Sequence, residues 1–242
     1  VPGLIAPDRR FADDDGAAPP RLAAVLRAYA AGQEAEHAVL TVLSHSRLLV
    51  PVVAAVTQTE AVRGPDGRAL RREKTSGMAI PTLTGRDGRP AVIAFTSLDS
   101  MHAWRADARP LPVAVGQVCQ AAVAGSVPAL VVDVAGPVPL VVEGARLAAL
   151  AAGSPVPASA DDPDVRAAVA AVAAADPDIA VAGIAAGSAG ADLTVRLVLA
   201  TGPGAGPDAP LAARRAAAAI MTALGGRFRR GIDVAIEPAG DS

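Results

Sequence analysis

Short β-branched runs alternate along this chain with short stretches of helical periodicity, and most junctions are punctuated by Pro, Gly or Asp. That alternation constrains the fold more than any other feature. The longest apolar stretches, LLVPVVAAV and ALVVDVAGPVPLVV, are each interrupted. They read as buried strands and fall short of the roughly 18–20 apolar residues that a bilayer span requires. Strands alternating with helices after an initial helical pair imply an α/β (α+β) fold built on a mixed sheet. At 242 residues the chain has room for one large domain or two small ones.

Residues 1–17 are polar, acidic and broken by Pro and Gly, and read as a flexible tail. Pro19-Pro20 lead into a helix with one apolar stripe, Leu22, Val25, Leu26 and Tyr29, and Gly32 as its stop. Leu40, Val42 and Leu43 could serve a strand, but Val39, Leu40 and Leu43, with two glutamates in the first turn, favour a second short helix. Arg47–Val56 is a β-branched run with Pro51 leaving a gap in its ladder, and Arg63–Ala69 reads as a loop. MAIPTLTG and PAVIAFTS flank Asp87-Gly88, a hairpin turn signal in which glycine supplies positive φ. A helix headed by Ser97 follows, then a strand at LPVAV, a helix near Gln117–Ala124, strands at ALVVDV and PLVV, and a helix through Leu147 and Leu150.

The first domain thus spans 18–152, a mixed sheet with flanking helices. AGSPVPASADDPD is small, polar and proline-bearing, which places a linker at 153–163. A small α-β-β-α-β domain follows over 164–237, before a tail at 238–242. Asp162 caps and Pro163 starts its first helix, with Val165, Val169 and Val172 on one face. Leu193, Val195, Leu197 and Leu199 alternate as a half-buried strand should, and Gly225-Gly226 end the last helix.

Composition narrows the function. Hydrophobic residues make up 52% of the chain but aromatics only 2%, so small aliphatics must build the core by close packing. A net charge of −2 argues against nucleic acid, which calls for a surplus of cations. Too few rings remain for base stacking. The lone Cys119 excludes an intrachain disulfide. VPGLIAPDRRFADDDG shows no basic start followed by an apolar core. A cytoplasmic location is expected, with no membrane and no nucleic-acid partner. Among 22 basic residues Lys74 is the single lysine, and asparagine is absent; arginine-rich usage of this kind reflects a GC-rich genome.

Catalytic motifs are scarce. No GxSxG elbow, HExxH or Walker A sequence occurs. His37, His45 and His102 stand apart without ligand-spaced partners, so solvent-facing histidines and no metal site are expected. TGPGAGPDAP, Thr201–Pro210, lies between a strand and a helix bearing Arg214 and Arg215, a setting that can hold an anion. Its three prolines and a spacing unlike a dinucleotide fingerprint favour a plain connector. Cys119 sits among Val118, Ala121 and Ala122 and reads as a buried core residue. No cofactor is called for.

The stretch LRREKTSGMAIPTLTGRDGRPAVIAFTSLDSMHAW concentrates what polar chemistry remains, with Lys74 and the single tryptophan, Trp104. Ser97 accounts for itself as a helix cap, with Asp99 in the first turn and Leu98, Met101 and Trp104 burying against the hairpin. RLLVPVVA, then REKTSGMAIPTLTGRDGRPAVIAFTSLDSMHAWRADARPLPV, then LVVDVAGPVPLVV resemble the SseB family, whose amino-terminal domain was named for enhanced serine sensitivity. EKTSxMA, FTS and AWRxDARP carry the resemblance, over roughly residues 20–152. The second half resembles the carboxy-terminal region of actinobacterial members more loosely. The resemblance implies an α/β domain in a cytoplasmic protein of ill-defined role, without catalytic residues or cofactor. It also implies an acidic residue where this chain has Gly77, a carboxylate that is lacking here.

The leading expectation is a non-catalytic binding or regulatory protein. A groove edged by Glu73, Lys74, Thr96, Ser97 and Trp104 would recognise a partner protein or a small polar metabolite. An enzyme using Lys74 as base or Schiff-base nucleophile is the alternative. It needs a lowered lysine pKa, which Arg71 and Arg72 favour and Glu73 opposes. A homo-oligomeric scaffold pairing through an exposed strand edge is the third.

Overall fold

The structure, a computed structural model, describes residues 8–52, 61–63, 69–71, 81–85, 88–187, 190–199, 209–228 and 230–238. Helix α1 (Pro20–Ala30) buries Leu22, Leu26 and Tyr29, and Gly32 follows it at φ +75°, where a left-handed residue closes a helix end. Helix α2 (Glu36–Leu43) buries Val39, Leu40, Leu43 and also the Glu36 carboxylate. Then come β1 (Arg47–Val52), β2 (Ala61–Arg63), β3 (Ala69–Arg71), β4 (Thr82–Thr84) and β5 (Pro90–Ala94). Helix α3 (Leu98–Trp104) leads to β6 (Arg109–Ala114), α4 (Val115–Ala124), β7 (Ala129–Val132), β8 (Leu140–Glu143) and α5 (Gly144–Ala152). The chain finishes with α6 (Pro163–Ala174), β9 (Ile179–Ala186), β10 (Leu193–Leu199), α7 (Ala209–Leu224) and β11 (Ile232–Pro238). The fold is α/β with mixed sheets, as the alternation implied.

One expectation is corrected at Arg63 and Ala69. Both were assigned to a loop, yet they pair as the ends of the antiparallel ribbon β2–β3, with Val62 opposite Leu70. The Gly and Pro between them dominate a local reading and hide the flanking pair.

Contacts divide the chain into two compact units: Val1–Pro19 with His45–Val142, and Pro20–Ser44 with Glu143–Ser242. The units interleave in sequence. The connection expected at 153–163 is the loop between α5 and α6, and it lies within the second unit.

The first unit holds a four-stranded sheet in the order β4-β5-β7-β8. Strands β4 and β5 form the expected antiparallel hairpin. Its turn is closed by Gly85 N–H donating to Arg89 O at 2.8 Å, with Gly88 at φ +78°. Strands β5 and β7 run parallel, from Ala91 opposite Ala129 to Ala94 opposite Val132. Strand β1 pairs antiparallel with β6, and Pro51 faces Pro110; neither has an N–H to give, so the deficit falls at one rung. Leu49 and Phe95 exchange backbone hydrogen bonds of 2.7 and 2.9 Å and tie β1 to the end of β5. Leu49, Ile93, Phe95, Met101 and Ala108 pack beneath, flanked by Leu83, Leu98 and Trp104.

The second unit contains the anticipated α-β-β-α-β run. Its sheet has the order β11-β10-β9, antiparallel between β9 and β10 and parallel between β10 and β11. Leu193, Val195 and Leu197 of β10 bury against Val165 and Val169 of α6 and against Ala216, Ile220 and Leu224 of α7. Asp162 accepts the Asp164 N–H at 2.9 Å and Pro163 opens α6, as the sequence required.

Candidate functional site

In open α/β sheets, ligand sites gather beyond the carboxyl ends of parallel strands, where the loops leave the sheet. Here that place lies past Ala94 of β5 and Val132 of β7. The residue after β7 is Asp133, held at φ +52°, a left-handed backbone uncommon outside glycine and best tolerated by Asn and Asp. Its N–H donates to Ala94 O at 3.0 Å, and its own carbonyl accepts the Gly136 N–H at 2.8 Å. A Cβ on Gly136 would come within 2.8 Å of the Asp133 Cβ, so this turn requires a glycine. So positioned, the Asp133 carboxylate accepts two bonds from Thr96: the backbone N–H at 2.8 Å and the Oγ1 hydroxyl at 2.6 Å. Thr96 is only 5% exposed and Asp133 only 4%.

A second layer holds Thr96 from the other side. Its carbonyl accepts Arg47 Nη1 at 2.5 Å. The same guanidinium donates from Nε to Asp14 at 2.6 Å and from Nη2 to the Ala17 carbonyl. Residues 14–17, part of the stretch read as a flexible tail, are thus held by Arg47 among the described residues.

Ser97 caps α3 by accepting the Ser100 N–H at 3.1 Å, and Ser100 Oγ in turn accepts the Ser97 N–H. This is the capping role read from the sequence. Trp104 ends α3 half-buried, its ring centroid 5.6 Å from that of Phe95 and tilted by 32°. The structure therefore brings Thr96, Ser97 and Trp104 into one neighbourhood, at the end of β5 and along the helix that follows it. The Thr96 hydroxyl, expected on a groove edge, is buried and donates to Asp133. Glu73, Lys74 and Gly77 lie outside the described residues. Sequence reasoning missed Asp133, Arg47 and Asp14. The available signal was the acid in ALVVDVAG, which ends an apolar strand and was read only as an interruption.

A family model for the SseB protein N-terminal domain matches residues 22–149, more than half of the chain. The chain belongs to the SseB family. No curated protein and no solved structure matches it. The SseB match covers Arg47, Thr96, Ser97, Trp104 and Asp133, and stops before the small α-β-β-α-β segment.

The SseB span also contributes to a second polar assembly, in the other unit. Glu36 on α2 meets Arg146 on α5, Oε2 to Nη1, at 2.5 Å. Arg146 Nε lies 3.8 Å from Asp162, whose Oδ2 accepts Arg227 Nη2 at 2.6 Å. Asp164 accepts the Ala145 N–H at 2.8 Å, satisfying a donor at the start of α5. Burial pushes the Glu36 carboxyl up to about 7 despite the opposing pull of Arg146, and Asp192 adds to the rise. The desolvation cost of such a buried pair offsets much of its attraction, so it adds little net stability while its loss is costly.

The remaining reactive groups are dispersed. Cys119 is buried, and burial alone pushes its thiol up to about 12. His45 and His102 are exposed as expected, whereas His37 is half-buried with its Nδ1 shut from solvent. Among the described residues no group of three or more His, Cys, Asp or Glu side chains could hold a metal ion. No described helix is long and apolar enough to cross a membrane.

Proposed function

We propose that this SseB-family chain is a non-catalytic, cytoplasmic binding and regulatory protein. It recognises a partner protein or a small polar ligand where the ends of β5 and β7 meet α3. The observation that carries this reading is the double hydrogen bond from Thr96 to Asp133 beside the half-buried Trp104. A clamp between adjacent parallel strands fixes the start of α3 before any ligand arrives, and preorganisation of that kind lowers the ordering penalty of binding. An aromatic residue on such a rigid support is a suitable interface anchor. The polar groups at hand also favour binding over catalysis. The Thr96 proton is committed to Asp133, the Ser97 hydroxyl to the cap, and the Cys119 thiol is buried. A single reduced thiol is in keeping with the cytoplasm.

Two measurements test it together: titration of Trp104 fluorescence with small polar metabolites, and affinity capture from lysate. Wild type would be compared with Trp104→Leu, Lys74→Ala and the distant surface change Arg166→Ala. A captured partner lost with Trp104→Leu, or an indole response to a metabolite lost with Lys74→Ala, each kept with Arg166→Ala, is expected. If no metabolite perturbs the indole and all variants recover the same proteins, the proposal is wrong.

A further inference from the structure

The two outer strands of the second unit's sheet differ in a way that has consequences for assembly. A sheet edge presents unpaired N–H and C=O groups, and proteins blunt such edges with charge or proline. Strand β11 carries Asp233 and Glu237 and ends in Pro238. Strand β9, IAVAGIAA, has eight residues and neither charge nor proline. Among the described residues no strand pairs with its outer side. Gly183, Ile184 and Ala185 are partly exposed and Ala186 is exposed. Helix α6, which packs on β9, is equally bare. Its exposed positions Ala167, Ala170, Ala171 and Ala174 recur at helical spacing, and no charged residue occurs between Arg166 and Asp176.

We propose that β9 is a pairing edge for a second copy of this chain, the two β9 strands joining antiparallel across a two-fold axis into one continuous sheet. A two-fold perpendicular to the sheet keeps both helical layers on the same side. The operation that joins the strands therefore also brings α6 beside its mate, and alanine lets two helices approach to the short end of the usual 8–10 Å separation. The edge and the bare helix are covered by a single symmetric contact, which is the commonest way a chain self-associates.

Charge selects the same arrangement. Asp178, and Asp176 with its partner Arg215 at 3.3 Å, stand just before the amino end of β9. Antiparallel pairing sends the two acidic ends to opposite extremes of the joint, about 25 Å apart at the rise of an extended strand. Parallel stacking would set them side by side. Arg196 lies opposite Gly183, one strand inward. Its mate would be three strand spacings away, about 14 Å, beyond the roughly 8 Å over which salt screens exposed charges. A foreign strand would find no side chain on β9 able to select its sequence, whereas the copy matches in length and in lack of charge.

The test is the mass of the whole chain in solution by light scattering, from submicromolar to high micromolar concentration. Ala185→Lys places an ammonium on β9, on the sheet face away from the helices. Asp233→Lys makes the control change on β11. A two-chain mass that halves with Ala185→Lys and stays with Asp233→Lys supports the proposal. Hydrogen exchange of β9 amides in the wild type gives a second readout that needs no variant, and their protection should rise with concentration. A one-chain mass throughout, a dimer unmoved by Ala185→Lys, or β9 amides whose exchange ignores concentration would overturn it.

Discussion

Arg146 and Glu36, 110 residues apart in sequence, form an ion pair of 2.5 Å with both side chains almost wholly withdrawn from solvent. Removing one member of a buried pair leaves the other charge without compensation. Glu36→Leu should therefore destabilise the protein by up to about 3–5 kcal/mol, because a buried guanidinium that cannot deprotonate loses its nearest acceptor and keeps only Asp162 at 3.8 Å. Glu36→Gln should lose less, since its amide oxygen still accepts from Arg146. Urea denaturation of both variants measures this, and equal losses would show that the acceptor kept by glutamine contributes nothing and that the lost charge accounts for the effect.

The pH dependence follows from the same carboxyl. Its folded-state pKa of about 7 stands above the ordinary 4.5, so the folded chain holds this proton more tightly than the unfolded chain. The associated stability is fully present below the unfolded value and is lost as pH rises through the folded one. The thermal midpoint of the wild type should fall between about pH 5 and about pH 8. Glu36→Gln, with no proton to release, should show a shallower fall. Parallel profiles would assign the dependence elsewhere.

Thr96 and Asp133 should behave as one unit. Thr96→Val leaves a buried carboxylate oxygen without its donor, a loss of about 1–3 kcal/mol. Asp133→Asn puts donors where acceptors are needed and should lose a similar amount. Since each change already breaks the clamp, the double variant should fall short of the sum by about 0.5–3 kcal/mol. Strict additivity in a double-mutant cycle by chemical denaturation would show that the two residues act independently.

Two left-handed glycines at opposite ends of α5 make a paired test. Gly144 has φ +60° and a Cβ there would lie 2.2 Å from Asp164 Oδ2, whereas Gly153 has φ +66° and open space around it. Both alanine variants incur the left-handed penalty of about 1–2 kcal/mol. Gly144→Ala must in addition displace the carboxylate that accepts the Ala145 N–H, which adds about 1 kcal/mol. Thermal or urea melts should rank Gly144→Ala below Gly153→Ala.

Cys119 should be inert in the native protein. With its thiol pushed up to about 12 by burial, almost no thiolate exists near neutral pH, and thiolate is the reactive form. A thiol-reactive dye should label it only after denaturation. Rapid native labelling would mean that α4 opens readily.

Much of the fold was legible because its signals are local. Ser97 before Leu98, Asp162 before Pro163, Gly88 between two strands and the alternation of Leu193 to Leu199 each act within a few residues. The polar contacts were not legible for the opposite reason. Asp133 and Thr96 are 37 residues apart and Arg47 and Thr96 are 49 apart; no periodicity links them. Thr96, next to a helix cap, was read as an exposed edge residue, and only the pairing of β5 with β7 shows why it is buried. Glu36 was read only as an acid at the start of α2, and nothing local to it announces Arg146 on α5.

The interleaving of the two units bears on how the chain is made. A ribosome emits polypeptide from the amino end, so α1 and α2 emerge long before α5 to β11, the rest of the unit to which they belong. The apolar stripes on these two helices must wait for their unit while His45–Val142, the larger part of the other unit, is being translated. The nascent chain is then most in need of a chaperone early in synthesis, and its first helices are among the last to be secured.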